Sequence, residues 1–332
     1  MGETKDAIER FLDAIWGKGH RVVLPEGAEP RILKAARELI DRNLARPVLL
    51  GPEETIHAAA AEAGVWTDGF TIIDPETADK RDAYAEAYTA GQRKPNIKIA
   101  QRLMRKPVYF GAMMVRQGDA AAIVAGAASP TRRVIEAGLM TVGLAEGIET
   151  PSSFFLMLLD DFQGTGPRAL IYADCAVNVE PDANQLADIA IASARTAGKL
   201  LDEPTAVALL SFSTQGSAQH SRVTKVREAV AIARERAPEL TIDGEFQADS
   251  ALIKGVAETK ARQASDVAGR ANVLIFPDLD AGNIAYKLTQ YLAGAQAIGP
   301  VLQGFNRPVA DLSRGASVED IIATTAMALV MG

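Results

Sequence analysis

The chain alternates short, apolar, β-branched runs with longer alanine-rich segments, and this alternation limits its fold more than any other feature. The predicted strands, which are apolar almost throughout, are residues 21–24, 47–50, 70–73, 121–124, 169–173, 207–210, 273–276 and 297–302. Such runs are typical of parallel strands buried on both faces. Between them, apolar residues recur at helical spacing, as Ile32, Ala36 and Leu39 do. The pattern predicts an α/β fold with helices covering mostly parallel sheets.

The length favours more than one domain, because 332 residues is about twice the commonest domain size. Residues 147–153 are predicted to cross between domains. A stretch interrupted by glycine and proline, residues 299–308 (GPVLQGFNRP), precedes one final helix at 317–330. A lone terminal helix cannot bury its apolar face, so we expect it to pack back on the first domain. We therefore predict two three-layer α/β/α domains, 1–147 plus 303–332 and 148–302, with a cleft between them.

Charge and composition exclude several classes of protein. Apolar residues make up 48% and charged residues 23% of the chain, which is ordinary globular composition. The net charge is −7, so a nucleic-acid partner is not expected. The acids from Glu3 onward argue against a signal peptide, and no apolar run is long enough to cross a membrane. We expect a soluble, cytoplasmic protein.

Familiar catalytic motifs are missing from the chain. There is no GxxxxGK[ST], GxSxG or HExxH motif. One cysteine, Cys175, and three histidines leave little from which to build a thiolate or histidine-rich metal site. Cys175 follows a buried strand without a nearby histidine, so we interpret it as a small apolar residue and not a nucleophile.

Polar residues in the loop before the last helix are candidates for an anion site. Ser313 and Arg314 offer a hydroxyl, a guanidinium fork and the start of a helix, although an ordinary turn with a surface arginine fits the same residues. Asp320, three residues after Ser317, fits either a helix cap or a general base one turn beyond the Ser-Arg pair. Spacing alone favours the cap.

Two further polar segments follow predicted strands. Residues 211–217 (SFSTQGS) form a hydroxyl-rich cluster that suits either a ligand or a helix cap. Asp278 and Asp280 precede Asn283, Tyr286 and Lys287, which we include among the candidate substrate-binding residues. Two acids alone are weak support for a divalent metal, and helix capping accounts for one of them.

At these residues the sequence resembles the phosphate acetyltransferases, within the phosphate acetyl/butyryl transferase type. The similarity runs over nearly the whole chain. It includes the segments 109–111 (YFG), 124–126 (VAG), 152–157 (SSFFLM), 172–178 (YADCAVN), 210–218 (LSFSTQGSA), 243–247 (DGEFQ), 272–278 (NVLIFPD), 281–287 (AGNIAYK) and 299–315 (GPVLQGFNRPVADLSRG). The resemblance implies a two-domain α/β fold with its active site in the interdomain cleft, and a homodimer. The implied reaction is acetyl-CoA + phosphate ⇌ acetyl phosphate + CoA, with no redox cofactor and no catalytic metal.

The resemblance also implies roles for individual residues. The family's catalytic serine corresponds to Ser313, its acyl-phosphate arginine to Arg314 and its proposed base to Asp320. Thr131 corresponds to a residue at the acyl phosphate. Arg93 corresponds to one of two arginines associated with CoA.

The sequence departs from the family at the second CoA arginine. Glu136 stands where the arginine is expected, Arg133 stands where the family has an aspartate, and Ala121 replaces a common acidic residue. We hypothesise that Arg133 or Arg132, one turn before Glu136, replaces the missing phosphate contact. A solvated surface pair without a binding role is the alternative.

Two other functions stay open at this stage. One is transfer of a longer acyl group, such as propionyl or butyryl. The other is a catalytically weak acetyl-CoA-binding regulatory module, which the departures at Glu136 and Ala121 favour and the complete Ser313, Arg314 and Asp320 set opposes.

Overall fold

The computed structural model describes residues 3–90 and 95–332, which form two compact units. The terminal unit comprises Ile8–Ala145 and Phe305–Gly332. The central unit comprises Glu146–Gly304 together with the start of the chain up to Ala7. Both units are mixed α/β structures, so the predicted fold class is confirmed.

The strands of the described residues have the following bounds: β1 Arg21–Leu24, β2 Arg46–Leu50, β3 Thr71–Ile73, β4 Ala122–Ala125, β5 Ser152–Leu159, β6 Arg168–Ala173, β7 Val207–Leu210, β8 Ile242–Phe246, β9 Val273–Ile275, β10 Gln296–Gln303 and β11 Val309–Asp311. The helices are α1 Glu3–Ile15, α2 Pro30–Asp41, α3 Glu53–Ala63, α4 Arg81–Thr89, α5 Ile97–Leu103, α6 Pro107–Arg116, α7 Thr131–Thr141, α8 Ala183–Leu200, α9 Ser221–Arg236, α10 Ala248–Leu252, α11 Lys254–Lys260, α12 Leu279–Leu292 and α13 Val318–Met331.

The terminal unit contains a parallel sheet in the order β3-β2-β1-β4-β11. Its central strands are apolar and fully buried, as the run Val22, Val23 and Leu24 shows. Helix α6 lies so close to β1 that a Cβ on Gly111 would be 2.7 Å from Cγ1 of Val23. Helix α13 packs on α2, β4 and β11, which buries its apolar residues.

The central unit contains a mixed sheet in the order β10-β5-β6-β9-β7-β8. Strands β6, β9, β7 and β8 pair in parallel, whereas β5 pairs antiparallel with both β6 and β10. One face of this sheet packs a cluster around Phe155, Met157 and Phe246. The mostly parallel character predicted from apolar runs therefore holds for four of these six strands.

The structure corrects several predicted element boundaries. Residues Ser152 and Ser153, predicted to lie in a crossover, already belong to β5. Strand β10 continues through Gly299 and Pro300, and its register shifts between Ile298 and Val301. The loop predicted from residue 299 onward therefore begins only after Gln303. A strand tolerates proline where no ladder hydrogen bond is needed, as at such an irregularity. Within residues 3–90 and 95–332, no helix has the length and apolar character to cross a membrane.

Candidate active site

Three neighbouring strands of the terminal unit end at one edge of its sheet. Strands β1, β4 and β11 lie side by side and parallel, so their carboxyl ends meet there. Helices α2, α7 and α13 follow these strands directly, and their N-termini start at the same edge. Helix N-termini carry unpaired N–H groups and partial positive charge. This edge therefore favours an anionic ligand, as the carboxyl edges of α/β sheets commonly do.

The loop between β11 and α13 carries Ser313 and Arg314, and both are exposed. The Ser313 carbonyl accepts a hydrogen bond from Ala316 N at 2.9 Å, and its Oγ accepts one from Gly315 N at 3.3 Å. These bonds hold a tight turn that presents the hydroxyl and the guanidinium to solvent. A hydroxyl donor and a planar fork of N–H donors at a helix start suit a phosphate group.

Arg31, in the first turn of α2, fastens this loop to the rest of the edge. Its Nη1 donates to the carbonyl oxygens of Arg314 and Ala316, each at 2.8 Å, and its Nη2 donates to Ala127 O at 3.1 Å. Glu29 accepts from Arg31 Nε at 2.7 Å and also caps the helix. One guanidinium thus joins the loops that follow β4 and β11.

Glu26, just after β1, holds the loop between β4 and α7. Its Oε1 accepts from Ala128 N at 3.0 Å and Ser129 N at 2.5 Å, and its Oε2 accepts from Gly126 N at 3.1 Å. Three N–H donors from a single loop stabilise the negative charge of this carboxylate. The loop leads directly into Thr131, the first residue of α7.

Thr131 and the loop that carries Ser313 meet at a buried carboxyl group. Oγ1 of Thr131 lies 2.5 Å from Oδ2 of Asp311, the last residue of β11, and Asp311 is only 1% exposed. Burial, opposed by the Thr131 hydrogen bond and reinforced by the negative Glu26, raises the pKa of Asp311 to about 7. Gly126, at φ +116°, leaves room for this carboxyl, since a Cβ there would be 2.5 Å from Oδ1.

Asp320 caps the helix that follows the Ser313 loop. Its Oδ2 accepts from Ser317 N at 2.9 Å, while Ser317 Oγ accepts from Asp320 N at 3.1 Å. This reciprocal pair is the capping box that the spacing predicts. Capping engages Oδ2 and leaves Oδ1 as an acceptor, so the two interpretations of Asp320 are compatible.

The predicted CoA contacts on α7 are exposed at its first turns. Arg132, Arg133 and Glu136 all face solvent, and among the described residues no ion pair joins either arginine to Glu136. Glu136 instead hydrogen-bonds Tyr109; burial first, then this carboxylate, raises the pKa of the Tyr109 hydroxyl. The surface pair with Glu136 that the alternative interpretation assumes is therefore not the arrangement found among the described residues. Arg93 lies outside the described residues.

The candidate residues on α12 belong to the central unit. Asn283 Nδ2 donates to Cys175 O at 3.1 Å, and Tyr286 stacks on Phe155 with ring centroids 4.0 Å apart. Lys287 is exposed, with its Nζ 5.2 Å from the centre of the Tyr286 ring. Asp278 caps the helix by accepting from Ala281 N. In residues 3–90 and 95–332, no group of three or more His, Cys, Asp or Glu side chains is placed to hold a metal ion.

The hydroxyl-rich segment 211–217 forms an internal network and does not cap the next helix. Ser213 is fully buried and donates to Glu245 Oε1 at 2.7 Å, and Thr214 contacts Ser250 at 3.2 Å. Helix α9 is capped by His220 instead. Cys175 is also fully buried, and burial followed by the nearby Asp174 raises the pKa of its thiol well above its usual value. Burial fits the interpretation of Cys175 as a small apolar residue, whereas the helix cap considered for segment 211–217 is not found.

A separate cavity of about 710 Å³ in the terminal unit contains none of the predicted site residues. Two of its charged groups are engaged with each other, because Lys80 hydrogen-bonds Asp119, which also accepts from Tyr84. The edge formed by β1, β4 and β11 is the better candidate for chemistry, since the Ser313 hydroxyl, the Arg314 guanidinium and the N-terminus of α7, which has no side-chain cap, are available to a ligand.

Sequence reasoning did not find Glu26 and Arg31, and it assigned no role to Asp311. A signal for the first two was present: charged residues at 26, 29 and 31 directly follow the buried strand at 21–24. For Asp311 the position at the end of a short strand was not recognised.

Comparison with known proteins settles the family. The family model for phosphate acetyl/butaryl transferase matches residues 7–329. The chain belongs to this family. A phosphate acetyltransferase of Thermoanaerobacterium thermosaccharolyticum is 46% identical over 325 residues, covering 96% of this chain and 98% of that protein. The phosphate acetyltransferase of Bacillus subtilis is 41% identical over 329 residues, covering 98% of this chain and 99% of that protein.

Solved structures agree with this assignment to the phosphate acetyl/butaryl transferases. A phosphotransacetylase from Streptococcus pyogenes matches with a TM-score of 0.91 at 38% identity, covering 99% of this chain and 98% of that one. The EutD phosphotransacetylase from Staphylococcus aureus matches with a TM-score of 0.88 at 38% identity over 98% of both chains. This family member is thus an enzyme, a transferase with the phosphotransacetylase fold.

Proposed function

We propose that this chain transfers an acetyl group between CoA and inorganic phosphate: acetyl-CoA + phosphate ⇌ acetyl phosphate + CoA. The observation that carries the proposal is the exposed Ser313-Arg314 turn at the edge where α2, α7 and α13 begin. A hydroxyl, a guanidinium and helix N-termini suit a small phosphorylated substrate. The relatives named phosphate acetyltransferase support the acetyl group as the one transferred.

In the proposed mechanism the CoA thiol attacks the carbonyl carbon of acetyl phosphate directly. A carbon–sulfur bond forms, the bond from the carbonyl carbon to the phosphate oxygen breaks, and Asp320 takes the thiol proton through Oδ1. Negative charge builds on the carbonyl oxygen and the departing phosphate, where the Ser313 hydroxyl and Arg314 stabilise it. Direct transfer suits a site in which no base of residues 3–90 and 95–332 hydrogen-bonds the Ser313 hydroxyl to activate it as a nucleophile.

The same proposal assigns binding roles to the other candidates. Thr131 contacts the phosphate end of the acyl phosphate, and Arg93 and Arg133 contact CoA. Asn283, Tyr286 and Lys287 are the candidates from the central unit. We propose that no redox cofactor is needed, since acyl transfer from sulfur to oxygen changes no oxidation state. We also propose that Ser313 and Arg314 stabilise the developing charge without a metal.

We also propose a cytoplasmic homodimer. The support for the dimer is an apolar face on α12: Ile284 and Leu288 are 56% and 51% exposed, and Tyr291 and Leu292 are 80% and 81% exposed. These residues recur at helical spacing and form one stripe. A contiguous exposed stripe of this kind marks an interaction surface. The cytoplasm is the compartment proposed because the reaction interconverts CoA and acetyl-CoA.

Arsenate-dependent loss of acetyl-CoA tests the function. Acetyl arsenate hydrolyses spontaneously, so a transferase turns over continuously in acetyl-CoA and arsenate. We expect sustained turnover by the purified chain. For Arg314→Gln we expect a larger increase in the KM for acetyl phosphate and phosphate than in the KM for CoA, because the lost fork contacts phosphoryl oxygens. Retained CoA binding without turnover would instead favour a regulatory module.

A further inference from the structure

Asp311 is a buried acid situated between two residues assigned to the substrate. It precedes Ser313 by two residues, and its Oδ2 lies 2.5 Å from the hydroxyl oxygen of Thr131. Its other oxygen, Oδ1, is buried and has no hydrogen-bond partner within residues 3–90 and 95–332. A buried carboxylate with an unpaired oxygen and no counter-ion is costly, whereas the neutral acid is not.

The charged groups around Asp311 favour the neutral acid. Glu26, after β1, carries its own negative charge, which three N–H donors stabilise. The guanidinium of Arg31, on α2, donates to Glu29 and to carbonyl oxygens of the loops that follow β4 and β11, and it forms no bond to Asp311. Asp320, on α13, forms the capping box with Ser317 and supplies no positive charge, and β4 (AIVA) contains no charged residue. Arg132, Arg133 and Glu136, which follow Thr131 on α7, are exposed.

The direction of the Thr131–Asp311 hydrogen bond decides what Thr131 offers to a ligand. When Asp311 is ionised, the Thr131 hydroxyl must donate its proton to Oδ2. Its oxygen then has only lone pairs to offer to a ligand. When Asp311 is protonated, the acid donates to Thr131 Oγ1, and the Thr131 hydroxyl is free to donate to another oxygen. Only the second arrangement suits an anion.

We propose that Asp311 is a positioning residue whose proton turns the Thr131 hydroxyl toward a doubly charged, phosphate-like oxyanion. Anion binding is then coupled to the uptake of one proton by Asp311. This inference deepens the proposed function and rests on it for the placement of the phosphate end near Thr131. The raised pKa of Asp311 places the coupling near neutral pH.

Sulfate is the probe, because it stays doubly charged throughout the neutral range whereas phosphate itself titrates there. Sulfate is titrated into the purified chain by calorimetry in two buffers of different ionisation enthalpy, from about pH 6 to pH 9. For wild type we expect uptake approaching one proton per sulfate on the alkaline side, with Kd rising about tenfold per pH unit there. For Asp311→Asn, whose amide always donates to Thr131, we expect a Kd independent of pH and no proton uptake.

Variants at neighbouring residues keep the test decisive if Asp311→Asn does not fold. Thr131→Val removes the hydroxyl, so sulfate should bind weakly at every pH without proton uptake, while Thr131→Ser should behave as wild type. Glu26→Gln removes the adjacent charge and should move the pH midpoint of sulfate binding downward. Equal proton uptake by wild type and Asp311→Asn, or by wild type and Thr131→Val, overturns the proposal, as does failure of sulfate to bind wild type at any pH.

The outcomes also separate this inference from the proposed function. Arsenate-dependent turnover without Asp311-dependent proton uptake would support the proposed acetyl transfer and reject the positioning role of Asp311. Asp311-dependent proton uptake by a chain without turnover would support the anion site and reject the acetyl transfer.

Discussion

At the scale of single residues, Asp320 combines a structural and a proposed chemical task. One carboxylate oxygen closes the capping box at the start of α13, and the other is left to accept a proton. A substitution that preserves the cap separates the two tasks, because asparagine also caps helices well.

We predict that Asp320→Asn lowers kcat by about 10²–10⁴-fold, the usual contribution of a general base. The melting temperature should change little, because the cap is kept. Steady-state kinetics and thermal unfolding of the same preparation measure the two effects together. A variant that loses stability but keeps its turnover would reduce Asp320 to a helix cap.

Asp311 gives a second residue-level prediction, on stability. The pKa of Asp311 is raised from 3.8 to about 7 in the folded chain. Between these two pH values, the folded state keeps a proton that the unfolded state releases. The stability that this group contributes is full below about pH 4 and is lost as pH rises to about 7. Asp311→Asn does not show this loss. The free energy of unfolding of the variant, relative to that of wild type, should therefore increase by at most about 4 kcal/mol as the pH rises through this window.

Urea unfolding at pH 5 and pH 8 measures the difference. The control is Asp266→Asn, because the Asp266 side chain is 91% exposed. We expect the control to track wild type at both pH values. A constant difference between Asp311→Asn and wild type across this window would show that Asp311 is ionised in the folded chain throughout.

At the residue scale, the sequence predicted best the polar side chains that lie exposed in a loop. Ser313 and Arg314 lie exposed in a loop, as the sequence predicted, although their roles come from the resemblance. Arg31 and Asp311 were missed because each acts through distant partners. Arg31 contacts residues 96 and 283 positions away, and no local pattern reports such contacts.

At the scale of elements, apolar runs predicted the parallel strands well, and the missed strands have physical reasons. Strand β8 (IDGEF) contains two acids and a glycine, and β11 is three residues long and ends in an acid. Strand β5 (SSFFLMLL) lacks β-branched residues, so its apolar run fits a buried helix as well as a strand. The antiparallel pairing of β5 depends on partners that no local pattern specifies.

Helix α7 carries the departure from the family, and it leaves Arg133, our candidate for the CoA contact, exposed together with Arg132. Glu136 is engaged with Tyr109 and leaves both arginines exposed. We predict that wild type binds CoA about tenfold more tightly than dephospho-CoA, which lacks only the 3′-phosphate. Arg133→Ala should abolish this preference, whereas Glu136→Gln, which can still hydrogen-bond Tyr109, should keep it.

Calorimetric titration of both ligands measures the preference. If wild type binds CoA and dephospho-CoA equally while Glu136→Arg prefers CoA, wild type lacks the contact to the 3′-phosphate, and Arg133 does not replace it.

At the scale of the whole molecule, the apolar stripe of α12 predicts a dimer. Leu288→Glu combined with Leu292→Glu should convert a species of twice the chain mass into monomer in sedimentation experiments. Trp66→Glu is the matched control, because Trp66 is 78% exposed yet stands outside the stripe. A wild-type monomer, or a dimer that survives the double substitution, would contradict the assignment of α12 as the interface.

We propose that the edge formed by β1, β4 and β11 moves an acetyl group between phosphate and CoA. The most direct test is the initial rate of acetyl-CoA formation from acetyl phosphate and CoA, followed by thioester absorbance, for wild type and Ser313→Ala. We predict steady turnover by wild type and, for Ser313→Ala, at least about a tenfold loss of kcat at an unchanged melting temperature. Wild-type protein that binds CoA but forms no acetyl-CoA would contradict the proposed acetyl transfer.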